Sequence, residues 1–580
     1  MPFVIDQQNC SCCHQCRVEC PVQAIRFRDS KYWIDPDKCI NCGTCVNVCH
    51  NECISDPENP PLAPAFHEKE FKSCDICIIG AGAAGMTAAA KAADQGLKVI
   101  VLEKGHEVGG SAWYAAGFRV HYSKWHGAAG LKDNREKLYE QFMKKTEGKV
   151  DGKLLRRMFE ANTEFVDWLI TDHELGKSYE LAPGPMGMMF RGTFEWERAE
   201  KRIDKMIGPG EGGWFMCTML RDSFLEKGGE ILYTTAGKKL LTDDNGAVTG
   251  VLADDLGGEL EISCKSVVVA SGAFTRNKKI MDQMQPLFYE TGKEPIHIFT
   301  YSHCTGDGIT MCEEIGADID YINRRVNMFG PMRHPYPCVS MNMALSGSGV
   351  KFDSQGKLFR QEMRMKEVSE LVFDPKRYCW IVIDESIAES AISRALEEPP
   401  QSPGMDLGKF LACWRDVLQE EEAAGSIVSA PTLEALAEKL GFDPVYVVKT
   451  IQEENLMLND PPAPPTNPPA KDGDDDDADE LPPMMLWAEP QPVEKGPFYA
   501  LRLKLFHENA IGGMTIDENS SVLRDGKPIP GLYAAGDTTR GIMIPGDIGV
   551  EYIESVFTAL TQAFNEGYIA GVEAAKFAKP

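Results

Sequence analysis

The chain has 580 residues, with 60 Lys and Arg against 87 Asp and Glu and a formal net charge of −27. Its 43% hydrophobic and 25% charged residues are ordinary globular proportions, which excludes a disordered or fibrous chain. Such an acidic surface repels phosphate backbones and anionic lipid, so neither nucleic acid nor a membrane surface is an expected partner.

The length predicts about three to five folding units. No run approaches the ~18 apolar residues of a membrane span. The first ten residues, MPFVIDQQNC, have no basic or apolar signal region, so a cytoplasmic location is expected.

Ten of the 19 cysteines fall within the first 53 residues. Without an export signal, that density points to metal or redox chemistry rather than disulfides. One run reads Cys10-x2-Cys13-x2-Cys16-x3-Cys20-Pro21 and a second reads Cys39-x2-Cys42-x2-Cys45-x3-Cys49. This is the bacterial ferredoxin spacing twice, in which the fourth cysteine of each run reaches the other cluster. Cys10, Cys13, Cys16 and Cys49 are therefore expected to hold one 4Fe–4S centre. Cys39, Cys42, Cys45 and Cys20 are expected to hold the other. Zinc sites use paired CxxC units rather than two equal four-cysteine runs. Cys12 and Cys53 have no place in the pattern, and His50 stands where the second run would carry Pro. The segment Ile25–Asp35 between the runs predicts a small strand or hairpin.

The ferredoxin-type segment is expected over 1–57 and a Pro-containing linker over 58–73. From Cys74 the pattern changes to strand, glycine turn and Ala-rich helix. Cys77-Ile78-Ile79 leads into Gly80-Ala81-Gly82-Ala83-Ala84-Gly85, and a second strand, Val99–Leu102, ends in Glu103, 18 residues after Gly85. That arrangement places a pyrophosphate on a helix N-terminus and an acid on a ribose. A further strand is predicted at Ser266–Ala270, ending in Ser271-Gly272, a helix at Leu433–Leu440 and a final helix from about Glu551. The segment 459–483 is rich in Pro and Asp and is expected to be a disordered insertion.

Several motifs then accumulate: Glu103-Lys104, Gly109-Gly110-Ser111, Ala115-Ala116-Gly117, Val269-Ala270-Ser271-Gly272, Thr305-Gly306-Asp307-Gly308, Ile511-Gly512-Gly513-Met514 and Ala534-Ala535-Gly536-Asp537. Together these resemble the FAD-dependent fumarate reductase/succinate dehydrogenase flavoprotein superfamily. The resemblance implies an α/β fold: a FAD-binding Rossmann-like domain over 74–320 and 496–580, with an α+β capping or substrate domain over 321–495. The small α+β ferredoxin-like domain would precede it. It implies that Gly80, Gly82, Ala84, Gly85, Lys104, Gly110, Gly117, Ala270, Gly272, Asp307, Gly536, Tyr552 and Ile553 contribute to the FAD site. Glu103 would hold the adenosine ribose, Ser111 would lie near the isoalloxazine, and Asp537 would bind the ribityl or pyrophosphate part. Gly549 would start a helix aimed at the ring. Relatives that tether FAD use a His just after the Gly-Gly; here Ser111-Ala112 stands there, so non-covalent FAD is expected. No second GxGxxG follows a strand, so electrons are expected to pass through the two clusters.

Carried across residue by residue, the substrate-clamping Arg of fumarate-reducing relatives falls at Asp547, a charge reversal. The His before Gly512-Gly513 falls at Asn509, with His507 two residues upstream, and an His-Pro pair matches as His334-Pro335. The proton-donor segment reads Gly356-Lys357-Leu358-Phe359-Arg360-Gln361-Glu362-Met363-Arg364-Met365-Lys366, with Lys366 at the donor position and Arg364 beside it. A buried Lys lowers its pKa more readily than Arg and can pass a proton.

The expectation is a flavin and iron–sulfur reductase of an activated C=C bond, of an enone or enoate rather than a small dicarboxylate. Its partners would be a small-molecule alkene and a low-potential donor protein: a ferredoxin, a flavodoxin or a reductase subunit. The alternatives are an acceptor-linked dehydrogenase of a ketosteroid-like substrate and an electron-transfer flavoprotein subunit with no organic substrate.

Overall fold

The structure, a computed structural model, describes residues 3–6, 15–18, 20–22, 24–28, 31–47, 49, 53–55, 68–105, 107–114, 118, 120–128, 130, 132–172, 179–184, 187–192, 211–255, 258–284, 297–298, 303–331, 349–359, 374, 376–397, 414–423, 425–459, 491–542 and 559–579. It divides into two compact units, Met1–Phe288 with Ile298–Val326 and His507–Pro580, and Tyr289–His297 with Asn327–Phe506. The second unit thus starts near the capping region read from the sequence but runs on to Phe506, because strand Phe498–Met514 continues the sheet of that unit. The expected insertion at 459–483 lies outside the described residues, apart from its first, Asn459.

In the first 57 residues, two short helices, Gln15–Val18 and Thr44–Asn47, begin inside the two cysteine runs. The intervening segment forms the antiparallel hairpin Ile25–Arg28 with Lys31–Ile34, and Val4–Ile5 pairs with Ile54–Ser55. Phe3, Ile5, Ile25, Tyr32 and Ile54 share a core with Cys16, Cys45 and Cys53. Among the described residues this apolar core is small, and in units of this size bound metal normally supplements the core.

The dinucleotide-type half is a six-stranded sheet. Its order is Glu230–Leu232, Val99–Leu102, Ile76–Ile79, Ser266–Val269, Lys527–Ala534 and Ser521–Arg524. Every pair is parallel except the last, which is a hairpin. The three central strands are apolar at every position but Ser266 and buried throughout, as a sheet covered on both faces requires. The chain moves outward from Ile76–Ile79 on one side, then returns to lay Ser266–Val269 on the other. The order therefore reverses between these two strands, which is where doubly wound sheets open a ligand crevice. Helix Ala83–Ala93 packs here under helix Ala559–Ala578, and the alanines and glycines of both let the backbones approach closely.

Residues Glu70–Ser73, which the sequence places in the linker, form a strand parallel to Gly258–Ser263. That strand extends the antiparallel meander of Thr235–Thr242, Val248–Asp255 and Gly258–Ser263.

The second unit carries an antiparallel sheet in which Tyr378–Asp384 pairs with Val350–Asp353 on one side and Phe498–Lys504 on the other. Ile427–Ala430 pairs with the same long strand. Helix Leu433–Leu440 is capped by the Thr432 hydroxyl, which accepts the Ala435 amide at 3.2 Å, and ends at Gly441 in the left-handed region. Asp384 is buried at the end of its strand. Burial raises its pKa, but the Ser386 hydroxyl and the amides of Lys495, Glu494 and Ile387 outweigh this and hold the carboxyl below its ordinary value. Among the described residues no helix is long and apolar enough to cross a membrane.

Candidate functional site

A cavity of about 200 Å³ opens at the carboxyl ends of the parallel strands, at the switch point. The turns after Ile76–Ile79, Ser266–Val269 and Lys527–Ala534 all contribute to its wall, through Gly80 and Gly82, Ala270 to Gly272, and Ala535 to Asp537. Gly80 has φ of +104°, and a Cβ on it would meet the Ala270 carbonyl oxygen at 2.3 Å; one on Gly85 would meet the Gly80 oxygen at 1.9 Å. Only glycine fits either place, which is the physical content of the GxGxxG spacing.

Gly82 is the N-cap of helix Ala83–Ala93 and offers no side-chain cap, so the first-turn amides are left for a ligand. Glu103 is buried at the end of the adjacent strand. Its Oε2 accepts the Ala81 amide at 2.8 Å and its Oε1 the Gly105 amide at 2.6 Å. Burial raises its pKa, opposed by those two amides and by the Lys104 charge. Each carboxylate oxygen keeps a second lone pair for a ribose hydroxyl. Lys104 Nζ donates to Asp307 and to Thr305, each at 2.8 Å, so the two charged residues at this wall neutralise each other. Asp537 is half-buried at the cavity wall, and desolvation pushes its pKa up to about 6. A hydroxyl donor from a ligand would relieve that desolvation.

The donor set fits FAD: free helix-end amides for the pyrophosphate, Glu103 for the ribose, Asp537 for hydroxyls, and backbone brought close by glycine. Two contributors were not read from the sequence. Cys304 is buried in the cavity wall with its Sγ 3.4 Å from Ser111 Oγ. Glu566, on the last helix, lies behind the Gly536–Asp537 turn. Its Oε2 accepts the Gly536 amide at 2.9 Å and the Thr539 hydroxyl at 2.8 Å. Burial pushes this acid up to about 8; the Thr539 hydroxyl and the Gly536 amide lower it, and the Asp537 charge raises it further.

In the cysteine-rich segment, Cys20, Cys39, Cys42 and Cys45 line one small void with Pro21 and Gly43. These four are the set that crossed ligation by the two runs requires. Burial, then the neighbouring Cys42, Cys20 and Cys39, push the Cys45 thiol up to about 12, so its thiolate needs a bound metal to stabilise it. Cys16 is buried, and Cys49 lies 3.3 Å from Cys53, sulfur to sulfur. The thiols surrounding the void suit a cubane, in which each iron takes one thiolate. Among the described residues no three His, Cys, Asp or Glu groups converge on a single-ion site.

The remaining sequence candidates lie outside the described residues: Cys10, Cys13, Gly117, His334, Arg364, Lys366, Asp547, Gly549, Tyr552 and Ile553. His507 is placed only by its backbone, within strand Phe498–Met514.

Comparison with known proteins agrees with the architecture. The FAD binding domain family model matches residues 75–546, and a 4Fe-4S binding domain model matches 30–51. The chain belongs to the FAD-binding domain family, within the fumarate reductase/succinate dehydrogenase flavoprotein superfamily. It is 27% identical to the NADH:fumarate oxidoreductase of Klebsiella pneumoniae (strain 342) over 88% of its own length and 48% of the relative's. It is 25% identical to the fumarate reductase (cytochrome) of Shewanella frigidimarina over 89% of its own length and 79% of that enzyme's. With the NADH:acrylate oxidoreductase of Vibrio harveyi it shares 26% identity over 86% of its own length and 50% of the relative's. The chain thus spans about half the length of two of these three relatives. In fold it is similar to the open conformation of a flavocytochrome c3 fumarate reductase, with a TM-score of 0.63 at 22% identity, covering 88% of this chain and 79% of that one. It is also similar to the 3-ketosteroid delta1-dehydrogenase of Sterolibacterium denitrificans, with a TM-score of 0.64 at 18% identity, covering 87% of this chain and all of that one.

Proposed function

We propose that this chain is an FAD- and iron–sulfur-dependent ene-reductase of the cytoplasm, adding hydrogen across the activated C=C bond of an enone or enoate. The observation that carries the reading is a FAD-type cavity and a four-thiol void on one chain. The relatives support the reaction class, since fumarate and acrylate are both alkenes conjugated to a carboxyl group.

Bound FAD supplies hydride for the electron-poor carbon of the alkene. Two 4Fe–4S clusters, on Cys10, Cys13, Cys16 and Cys49 and on Cys39, Cys42, Cys45 and Cys20, supply one-electron carriage from a low-potential donor protein. The chain's own groups do the rest. Glu103 holds the adenosine ribose and Asp537 the ribityl hydroxyls, while Lys104 and Asp307 close the wall as a neutral pair. Lys366 or its neighbour Arg364 delivers the proton to the second alkene carbon, and His334 and His507 are polar contacts for the substrate. Asp547 opposes a substrate carboxylate, so the substrate is not a small dicarboxylate. Ala112 stands where a tethering His would, so FAD is non-covalent and leaves with acid precipitation, whereas colour retained by the pellet would contradict that assignment.

The test is an anaerobic screen of enones and enoates, with a dithionite-reduced dye as electron donor. Alkene-dependent dye oxidation with saturated product supports the proposal. Dye oxidation by no alkene, together with reduction of the protein by a saturated ketone, would assign the reverse reaction instead.

A further inference from the structure

We propose that Glu566 is a positioning residue for FAD: it holds the Gly536–Asp537 turn in its flavin-binding shape, and does so as a neutral acid. The inference rests on FAD as the ligand, which family membership gives, and is independent of which alkene is reduced.

Asp537 is the acid that the flavin cavity presents at its third turn, and its place is set by Gly536 before it. Both backbone polar groups of Gly536 are engaged. Its amide donates to Glu566 Oε2 at 2.9 Å, and its carbonyl accepts the Thr539 amide at 2.8 Å. The Thr539 hydroxyl stands 2.8 Å from Glu566 Oε2 and 3.0 Å from the Gly536 carbonyl, so one small ring joins acid, hydroxyl and turn. Gly536 itself has φ of +78°, and a Cβ there would come within 3.0 Å of the Ala84 side chain. The backbone on either side is tied to the sheet, by the Ala535 amide to Val269 and by Thr538 and Arg540 to Met514, but the amide of Gly536 itself is anchored by the last helix, across 30 residues of chain.

A fully buried carboxyl at this place is an unusual choice for an Ala-rich helix, where an apolar residue would pack at no desolvation cost. Its protonation state follows from its surroundings. The turn presents Asp537, whose charge acts on it. Arg540 on the same turn is spent on Asp320 at 2.8 Å. Helix Ala83–Ala93 meets the helix turn at Gly567 through the Ala84 backbone, and its Lys91 sits over the Tyr568 and Trp168 rings, 4.9 Å from each centroid. Helix Gly152–Asp172 offers only the Met158 carbonyl and Asn162 to Asn565. Ser520 donates to the main-chain oxygen of Glu566 rather than to its carboxyl. No cation among these groups reaches the carboxyl; the Gln562 amide, one turn earlier on the same helix, favours the ionised form, but burial outweighs it and leaves a pKa of about 8. The negative charges of FAD add to that of Asp537, so a bound flavin raises the acid further. Binding then carries a proton with it, and affinity falls as pH rises past the pKa of the free protein.

The experiment follows FAD release from the holoprotein by recovery of flavin fluorescence after dilution, between pH 6.5 and 9.5. For the unmodified chain the release rate is expected to be level to about pH 8 and then to rise by up to tenfold per pH unit. Glu566→Gln keeps a neutral acceptor for the Gly536 amide. It should release FAD within about threefold of the unmodified rate at pH 7 and stay level to pH 9.5. Glu566→Ala removes the anchor and should release FAD at least about tenfold faster at pH 7. Ionisation of the flavin itself is common to all variants and cancels in their ratios. Release rates of Glu566→Gln and the unmodified chain that share one pH profile would overturn the proposal, whether or not Glu566→Ala folds. So would Glu566→Ala releasing FAD at the unmodified rate.

Discussion

Glu103 Oε2 accepts the main-chain amide of Ala81 at 2.8 Å, and this bond fastens the end of one parallel strand to the glycine turn leaving its neighbour. Because Oε1 takes the Gly105 amide at 2.6 Å, both oxygens act as acceptors of backbone N–H groups. Glu103→Gln is therefore not conservative: its NH₂ must face one of those amides. We expect Glu103→Gln and Glu103→Ala each to lower stability by about 1–3 kcal/mol and to weaken FAD binding at least tenfold. Thermal unfolding and FAD titration of the full chain check both; unchanged FAD affinity in either variant would remove Glu103 from the site.

Asp537 gives a stability prediction of opposite sign. Its pKa rises from an ordinary 3.8 to about 6 on folding, so the ionised form is disfavoured in the native chain. The penalty is absent below pH 3.8, grows through the window to about 6 and is complete above it. In the FAD-free chain Asp537→Asn should raise stability above pH 6 by up to about 3 kcal/mol and change nothing near pH 4. The same substitution should weaken FAD binding, since ribityl hydroxyls prefer a charged acceptor. Denaturant unfolding at pH 4 and pH 7 separates the two effects.

The four-thiol void makes a specific demand on Cys20, which sits in the first cysteine run but lines the void with the second. The unmodified chain should carry about eight iron atoms and eight acid-labile sulfides. Cys20→Ala should lose the cluster on Cys39, Cys42 and Cys45, leaving about four of each. Iron and sulfide analysis decides; loss of the other cluster instead would mean the runs do not cross.

What the sequence made legible was governed by backbone geometry at short range. Gly80 and Gly85 are spaced as they are because a Cβ at either would strike backbone, so the motif reports the turn directly. Leu433–Leu440 carries its Thr cap and Gly stop within ten residues, and the helix has those bounds. Strand Glu70–Ser73 was hidden because it is mostly exposed and pairs with Gly258–Ser263, almost 190 residues away, so nothing local marks it. Cys304 and Glu566 were missed for the same reason. Each gains its role from a partner brought in by the sheet, Ser111 for one and Gly536 for the other. A Glu in an Ala-rich helix reads as a solvated position until the turn it supports is placed beside it.

Asp547 carries the substrate prediction. At an effective dielectric of about 20, two like charges about 4 Å apart repel by roughly 4 kcal/mol. Fumarate should therefore be turned over far more slowly than a neutral enone, and Asp547→Asn should raise kcat/KM for anionic alkenes selectively. Fumarate reduction by the unmodified chain at the rate of the best enone would show that Asp547 does not face the substrate.

The account stands most directly on the order in which electrons move. Holoprotein mixed anaerobically with a low-potential donor, and followed at cluster and flavin wavelengths by stopped flow, should show the clusters bleaching before the flavin. Addition of an enone should then reoxidise the flavin first, with one saturated product formed for every two electrons. Bleaching of the flavin by NADH alone while the clusters stay oxidised, or a reduced flavin that no alkene reoxidises, would contradict it.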